Sequence, residues 1–199
     1  MSEAAPAGRE ERVVLLDDQG RAIGSADKAS VHHRATPLHL GFSCYVFDSA
    51  GQVLLTRRAL GKKTWPGVWS NSFCGHPTPG EAVADAVRRR AQQELGLSID
   101  SVVCVLPDFR YRAVAADGTV ENEVCPVFCA RTDESVRAVP DEVMQFCWVS
   151  WRDLRSAAAL HWAISPWAAE QVPLLERATY VRRRIHQYRP TFGARRRSY

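Results

Sequence analysis

The sequence predicts one α/β domain of the α+β kind, a mixed sheet with helices packed on it. Three observations carry this. The length of 199 residues suits one compact domain and is short for two ordinary ones. Strand-like runs lie both before and after one strongly periodic helix, without strict βαβ alternation. Hydrophobic residues at 46% and charged residues at 24% give the balance of a globular chain with a core, which excludes a disordered or collagen-like one.

The elements follow in chain order. Val13–Leu16 is a short apolar run ending in Asp-Asp-Gln-Gly, a strand and a turn. His39–Phe47 is rich in aromatic and β-branched residues; a turn at Asp48–Gly51 returns the chain as a partner strand over Gln52–Thr56. Lys62–Pro79, full of Trp, Pro, Gly, Asn and Ser, is a loop long enough to be functional. Glu81–Leu95 carries Val83, Val87, Ala91 and Leu95 at i, i+4 spacing, and Gly96 stops it. Val102–Leu106, Val124–Arg131 and Phe146–Val149 read as further strands. Ser150 caps a helix over Trp151–Leu160, and Ser165-Pro166 opens a last one. Residues 1–12 read as an arm, 13–176 as the domain and 177–199 as a tail.

No apolar run reaches the roughly 18–20 residues of a membrane helix, and MSEAAPAGREER has no apolar signal core. The six cysteines form no CxxC pair, so reduced thiols in a cytoplasmic protein are expected. The formal charge is +4, but Arg177–Tyr199 holds eight arginines and no acid, so residues 1–176 carry −4. A basic tail could touch nucleic acid, but the acidic body does not suit a nucleic-acid binder, and no such partner is expected. No membrane partner is expected either. The oligomeric state stays open, with a monomer favoured.

Four groups could carry chemistry. His32, His39 and His76 with Glu121 and Glu123 would suit an octahedral divalent ion, since residues two apart on a strand share a face. Scattered histidines are as readily surface or core residues, and His33 could replace His32. Cys74, in Asn71-Ser-Phe-Cys74-Gly75-His76, sits in a polar loop that suits a reactive thiol, against the alternative of an inert buried one. Lys28, Arg57, Arg58, Lys62 and Lys63 could bind phosphate or simply solvate the surface. Trp65, Trp69, Trp162 and Trp167 offer faces for packing or for a cation. Arg89 and Glu94, five apart on the helix, are not an obvious ion pair.

The run Gly75-x5-Glu81-x7-Arg89-Arg90-Ala-Gln-Gln93-Glu94-Leu-Gly96-Leu97 resembles the Nudix box, G-x5-E-x7-R-E-U-x-E-E-x-G-U with U a bulky aliphatic. Arg90 and Gln93 replace two of its glutamates. That departure, with NSFCGHP (71–77), LPDFRYR (106–112), VENEVCPVF (120–128), DEVM (141–144) and WAISPW (162–167), is similar to the type I isopentenyl-diphosphate isomerases. The likeness runs from about residue 13 to 170.

The resemblance implies a Nudix-like mixed sheet sandwiched between helices. It implies isomerisation of isopentenyl to dimethylallyl diphosphate, with a hydrolase of the same fold as the alternative. It implies a divalent ion, Mn2+ or Zn2+, on His32, His39, His76, Glu121 and Glu123. It implies Mg2+ on Glu94 and the Cys74 backbone carbonyl, and Cys74 and Glu123 as the acid–base pair with Tyr111 beside Glu123. Trp167 falls at the back of the pocket, and Lys28, Arg58, Lys62 and Arg89 are the cations for an isoprenoid diphosphate.

Overall fold

The computed structural model describes residues 11–99 and 101–187. Strands β1 (Arg12–Leu16) and β2 (Ala22–Asp27) form a hairpin, followed by a one-turn helix α1 (Lys28–Val31) whose N-cap Asp27 accepts from the Ala29 amide. Then come β3 (His39–Leu40), β4 (Phe42–Phe47), β5 (Val53–Arg58), β6 (Trp69–Ser70) and β7 (Phe73–Gly75). Helix α2 (Val83–Leu95) leads to β8 (Val102–Leu106), β9 (Arg110–Val114), β10 (Val120–Val124), β11 (Val127–Arg131) and β12 (Val143–Val149). Helices α3 (Trp151–Ala158), α4 (Pro166–Arg177) and α5 (Thr179–Gln187) close the order.

Two mixed sheets result. One runs β2-β1-β3-β10-β9; the other runs β12-β5-β4-β11-β8, with β6 on β5 and β7 on β4. The pairs β3–β10 and β4–β11 are parallel. Strand β4 is buried along its whole length, and its period of two splits the core. Phe42, Cys44 and Val46 pack with Ala86, Val87, Ala91 and Leu95 of α2, while Tyr45 and Phe47 pack with Trp151, Leu154, Trp167 and Val172 of α3 and α4. This is the helix–sheet–helix layering expected.

Several boundaries differ from the sequence reading. The expected strand 39–47 breaks at Gly41, and its halves enter different sheets. The helix begins at Val83, not Glu81, because the Glu81 carboxylate turns back to accept from the Thr78 amide and hydroxyl. Strands β2 and β9 have no counterpart in the sequence reading, and β10 has one only at Val124. The segment read as tail starts with α5, whose Val181 is wholly buried in the α3–α4 core. The rest of that tail and nearly all of the arm lie outside the described residues. Among the described residues no helix is long and apolar enough to cross a membrane.

Gly96 ends α2 at φ +61°, its amide on the Gln92 carbonyl and the Leu97 amide on the Ala91 carbonyl. A Cβ there would be strained by the left-handed backbone and would press to 3.1 Å on Arg137 Cβ. Gly96→Ala is expected to lower unfolding free energy by about 1–2 kcal/mol, read by urea denaturation. An unchanged midpoint would mean the cap relaxes freely.

Candidate active site

The register of the smaller sheet builds one wall of the site. Glu123 of β10 pairs with His39 of β3 on one side and with Tyr111 of β9 on the other, so the three side chains share a face. Glu121, two residues back, points the same way. His32 follows α1 as its C-cap, and His76 follows β7. The opposite wall comes from the larger sheet: Cys74 of β7 pairs with Ser43 of β4.

The donor atoms of His32, His39, His76 and Glu123 all lie within 4.8 Å of one another. His76 Nε2 is 3.0 Å and His39 Nε2 3.4 Å from Glu123 Oε1, and the two imidazole nitrogens face each other at 3.2 Å. His39 Nδ1 donates to the Pro37 carbonyl at 3.0 Å, which leaves Nε2 as the lone-pair nitrogen. His32 Nε2 and Glu121 Oε2 are 3.1 Å apart, both buried and neither hydrogen-bonded. Buried polar atoms converge this way, unsatisfied, where a cation belongs. The donor set therefore fits a divalent metal ion. His33 is exposed, with Nδ1 accepting from the Ala35 amide, and His32 is the one that joins the cluster.

Burial works against ionised Glu123, but the His39 and His76 hydrogen bonds and their charge outweigh it and hold the carboxyl well below its usual range. Burial holds His76 below the ordinary imidazole value despite Glu123, in the neutral form that ligates. Burial pushes the Cys74 thiol up to about 11, so it keeps its proton at neutral pH. Burial and then the Glu121 and Glu123 charges raise Tyr111, which stays a phenol.

These walls enclose a cavity of about 570 Å³. His32, His76, Glu121, Glu123, Cys74 and Tyr111 line its floor, with Trp167. Trp167, in the first turn of α4, is 2% exposed and lies 5.7 Å from the Tyr111 ring and 5.5 Å from the Trp65 ring. Trp65, ahead of Pro66, sits at φ +45°, a strained conformation for a bulky residue. Lys28, Arg58 and Lys62 also line the cavity, as expected of phosphate-binding cations. Arg58 Cζ lies 5.5 Å from the Trp167 ring centroid.

Three expected residues do not line this cavity, although His39 belongs to the histidine cluster beneath it. His39 is wholly buried behind the floor. Arg89 does not line the cavity: its Nε and Nη2 each donate to Glu81 at 2.8 Å, and Nη2 also to the His76 carbonyl. Glu94 faces a small adjoining void shared with Cys74, Arg58 and Lys62, and accepts from Arg90 at 2.6 and 2.9 Å. Arg90 does line the cavity, and sequence reasoning missed it; its i, i+4 spacing to Glu94 was the available signal. Also missed were Glu11, paired with Lys28, and Glu142, which holds Lys62 and Arg90 together.

The comparisons agree with this architecture. Residues 37–175 match the NUDIX domain model. A Deinococcus radiodurans structure superposes with a TM-score of 0.65 at 20% identity, covering 82% of this chain and 98% of its own. A MutT protein of Methanosarcina mazei does so at 0.55 and 16% identity, covering 71% and 96%. Both show the fold alone. Among curated relatives, the isopentenyl-diphosphate Delta-isomerase of Mycolicibacterium vanbaalenii is 67% identical over 84% of this chain and 93% of its own. That of Frankia alni is 54% identical over 86% and 89%. The chain belongs to the Nudix family and, within it, to the isopentenyl-diphosphate Delta-isomerases.

One glycine sets the floor. A Cβ on Gly41, between β3 and β4, would sit 2.6 Å from the Glu123 carboxyl carbon. Gly41→Ala is expected to displace that carboxylate and weaken divalent-ion binding roughly 10–100-fold while the fold persists. Calorimetric titration with Mn2+ or Zn2+, beside a melting curve, checks this; equal affinity would separate Gly41 from the metal centre.

Proposed function

We propose that the chain interconverts isopentenyl and dimethylallyl diphosphate by adding a proton to one carbon and removing one from another, through a tertiary carbocation. The observation that carries this is the placement of Cys74 and Glu123 on one cavity, from different sheets. Cys74 holds a proton there and Glu123 does not, so the pair keeps one transferable proton across the substrate's allylic plane. The reverse reaction exchanges their roles. Tyr111, kept as a phenol, can donate to Glu123 and relay its proton.

His32, His39, His76, Glu121 and Glu123 would hold one Mn2+ or Zn2+, and Glu94 with the Cys74 carbonyl Mg2+. When bound, these ions supply positive charge, the first beside Glu123 and the second at the diphosphate oxygens. Lys28, Arg58, Lys62 and Arg90 bind the diphosphate, which would take over from Glu11 and Glu142 as their counter-ion. Trp167 gives the cation an aromatic face with no nucleophilic lone pair, and a dry site keeps water from trapping it as an alcohol. Arg89 supports the site by tying the start of α2 to the His76 carbonyl.

Hydrolysis, the other Nudix chemistry, gathers several box glutamates around its metals, and here Arg90 and Gln93 stand in two of those places.

Incubation with isopentenyl diphosphate, Mg2+ and Mn2+ in D2O is expected to yield deuterated dimethylallyl diphosphate by NMR. Released phosphate without isomerisation would overturn the proposal in favour of a hydrolase. Cys74→Ala should lower turnover by roughly 10²–10⁴-fold or more with the fold retained. Near-normal turnover in that variant would remove the thiol from the mechanism.

A further inference from the structure

We infer that Asn71 is a positioning residue that fixes the Cys74 thiol and the Trp167 ring relative to each other through a single oxygen atom. The inference rests on the isomerase reading. Asn71 is wholly buried between β6 and β7. Its Nδ2 donates to the Cys44 carbonyl at 3.0 Å and to the Phe73 carbonyl at 2.7 Å, using both amide hydrogens. That fixes the side-chain orientation, because the flipped amide would set its oxygen against two carbonyls.

The Oδ1 atom consequently faces the site. It accepts from Cys74 Sγ at 3.2 Å and from Trp167 Nε1 at 2.9 Å. Ser70 Oγ donates to the same oxygen at 2.8 Å and itself lies 2.9 Å from Ser165 Oγ, whose hydroxyl can donate to it. An amide oxygen has two lone pairs, so the thiol, the weakest donor of the three, shares one of them. Ser43 Oγ, which accepts from Gln171 Nε2, stands 3.4 Å from the thiol sulfur. One atom of Asn71 thus touches both the proton-carrying group and the ring presented to the carbocation. Two anchors on separate elements would let thiol and ring drift independently; a misplacement of about 1 Å at such a site costs roughly 10²-fold in rate.

Ser70 supplies the test. Ser70→Ala removes the strongest of the three donors and leaves the two lone pairs of Oδ1 to the thiol and the indole. Turnover per folded molecule should hold or rise, by up to about tenfold, the worth of one hydrogen bond, with KM for isopentenyl diphosphate unchanged. A purely structural role for this cluster predicts a fall instead, since a buried hydrogen bond is lost.

Asn71→Leu, similar in volume, should lower kcat by about 10²-fold per folded molecule with KM within a few-fold. If that variant does not fold, Ser70→Ala decides. A fall in kcat per folded molecule in Ser70→Ala overturns the proposal, as does normal kcat in folded Asn71→Leu. A wild type that fails to isomerise overturns the isomerase reading and this inference together, whereas an active wild type with either of those variant outcomes removes Asn71 alone.

Discussion

The constraint on which the site depends is the burial of two carboxylates side by side on one strand. Glu121 and Glu123 are 5% and 6% exposed. Taking such a charge out of water costs several kcal/mol even after relaxation, and a buried carboxylate stays charged only where partners compensate it. Most of the local architecture follows from meeting that demand. The parallel pair β3–β10 brings His39 into register with Glu123, and the break at Gly41 gives the carboxylate its space. The turn after α1 brings His32 to Glu121, and the end of β7 brings His76. The unsatisfied atoms left at His32 and Glu121 mark a place for positive charge that the chain itself does not supply.

The cavity mouth solves the opposite problem. Lys28, Lys62 and Arg90 would repel one another if left bare, and each is held by a carboxylate, Glu11 or Glu142. The two lysine pairs are only partly buried, and such pairs are worth little, whereas Arg90 is itself buried and tied to Glu94 as well as Glu142. Floor and mouth thus differ in kind: one is organised around buried anions, the other around cations paired with carboxylates.

Much of this was legible in the sequence, for identifiable reasons. Gly96, Ser150 and Pro166 marked helix ends because their chemistry acts locally, and each marks a helix end in the structure. The glutamates of ENE were legible as a pair because a strand's period of two is local as well. Strand β10 was harder: VENEV carries Glu121 and Glu123 where a core strand would carry Val or Ile, since that face lines the cavity, while the arginines of RYRAV in β9 point outward and leave only Tyr111 and Ala113 for the inner face. Arg89 against Arg90 turned on about 100° of helix rotation, which spacing decides only when the partner is known. With Glu94 as partner, Arg90 is the i, i+4 neighbour and turns inward, and Arg89 is left to Glu81. Asn71 had no local signal for its role, because Cys44 and Trp167, which it brings together with the Cys74 loop, come from β4 and α4.

The Arg90–Glu94 pair also bears on how one fold separates two chemistries. A glutamate at position 90 would leave Glu94 with a like charge one turn away, an arrangement relieved by divalent cations and suited to activating water. An arginine there pairs with Glu94 and adds a cation to the cavity wall. On the proposed reading this favours holding a diphosphate over activating water, as isomerisation without hydrolysis requires. The remaining protection on that reading is the indole face of Trp167, held in place by Trp65 and Tyr111, which offers no nucleophilic lone pair to a cation.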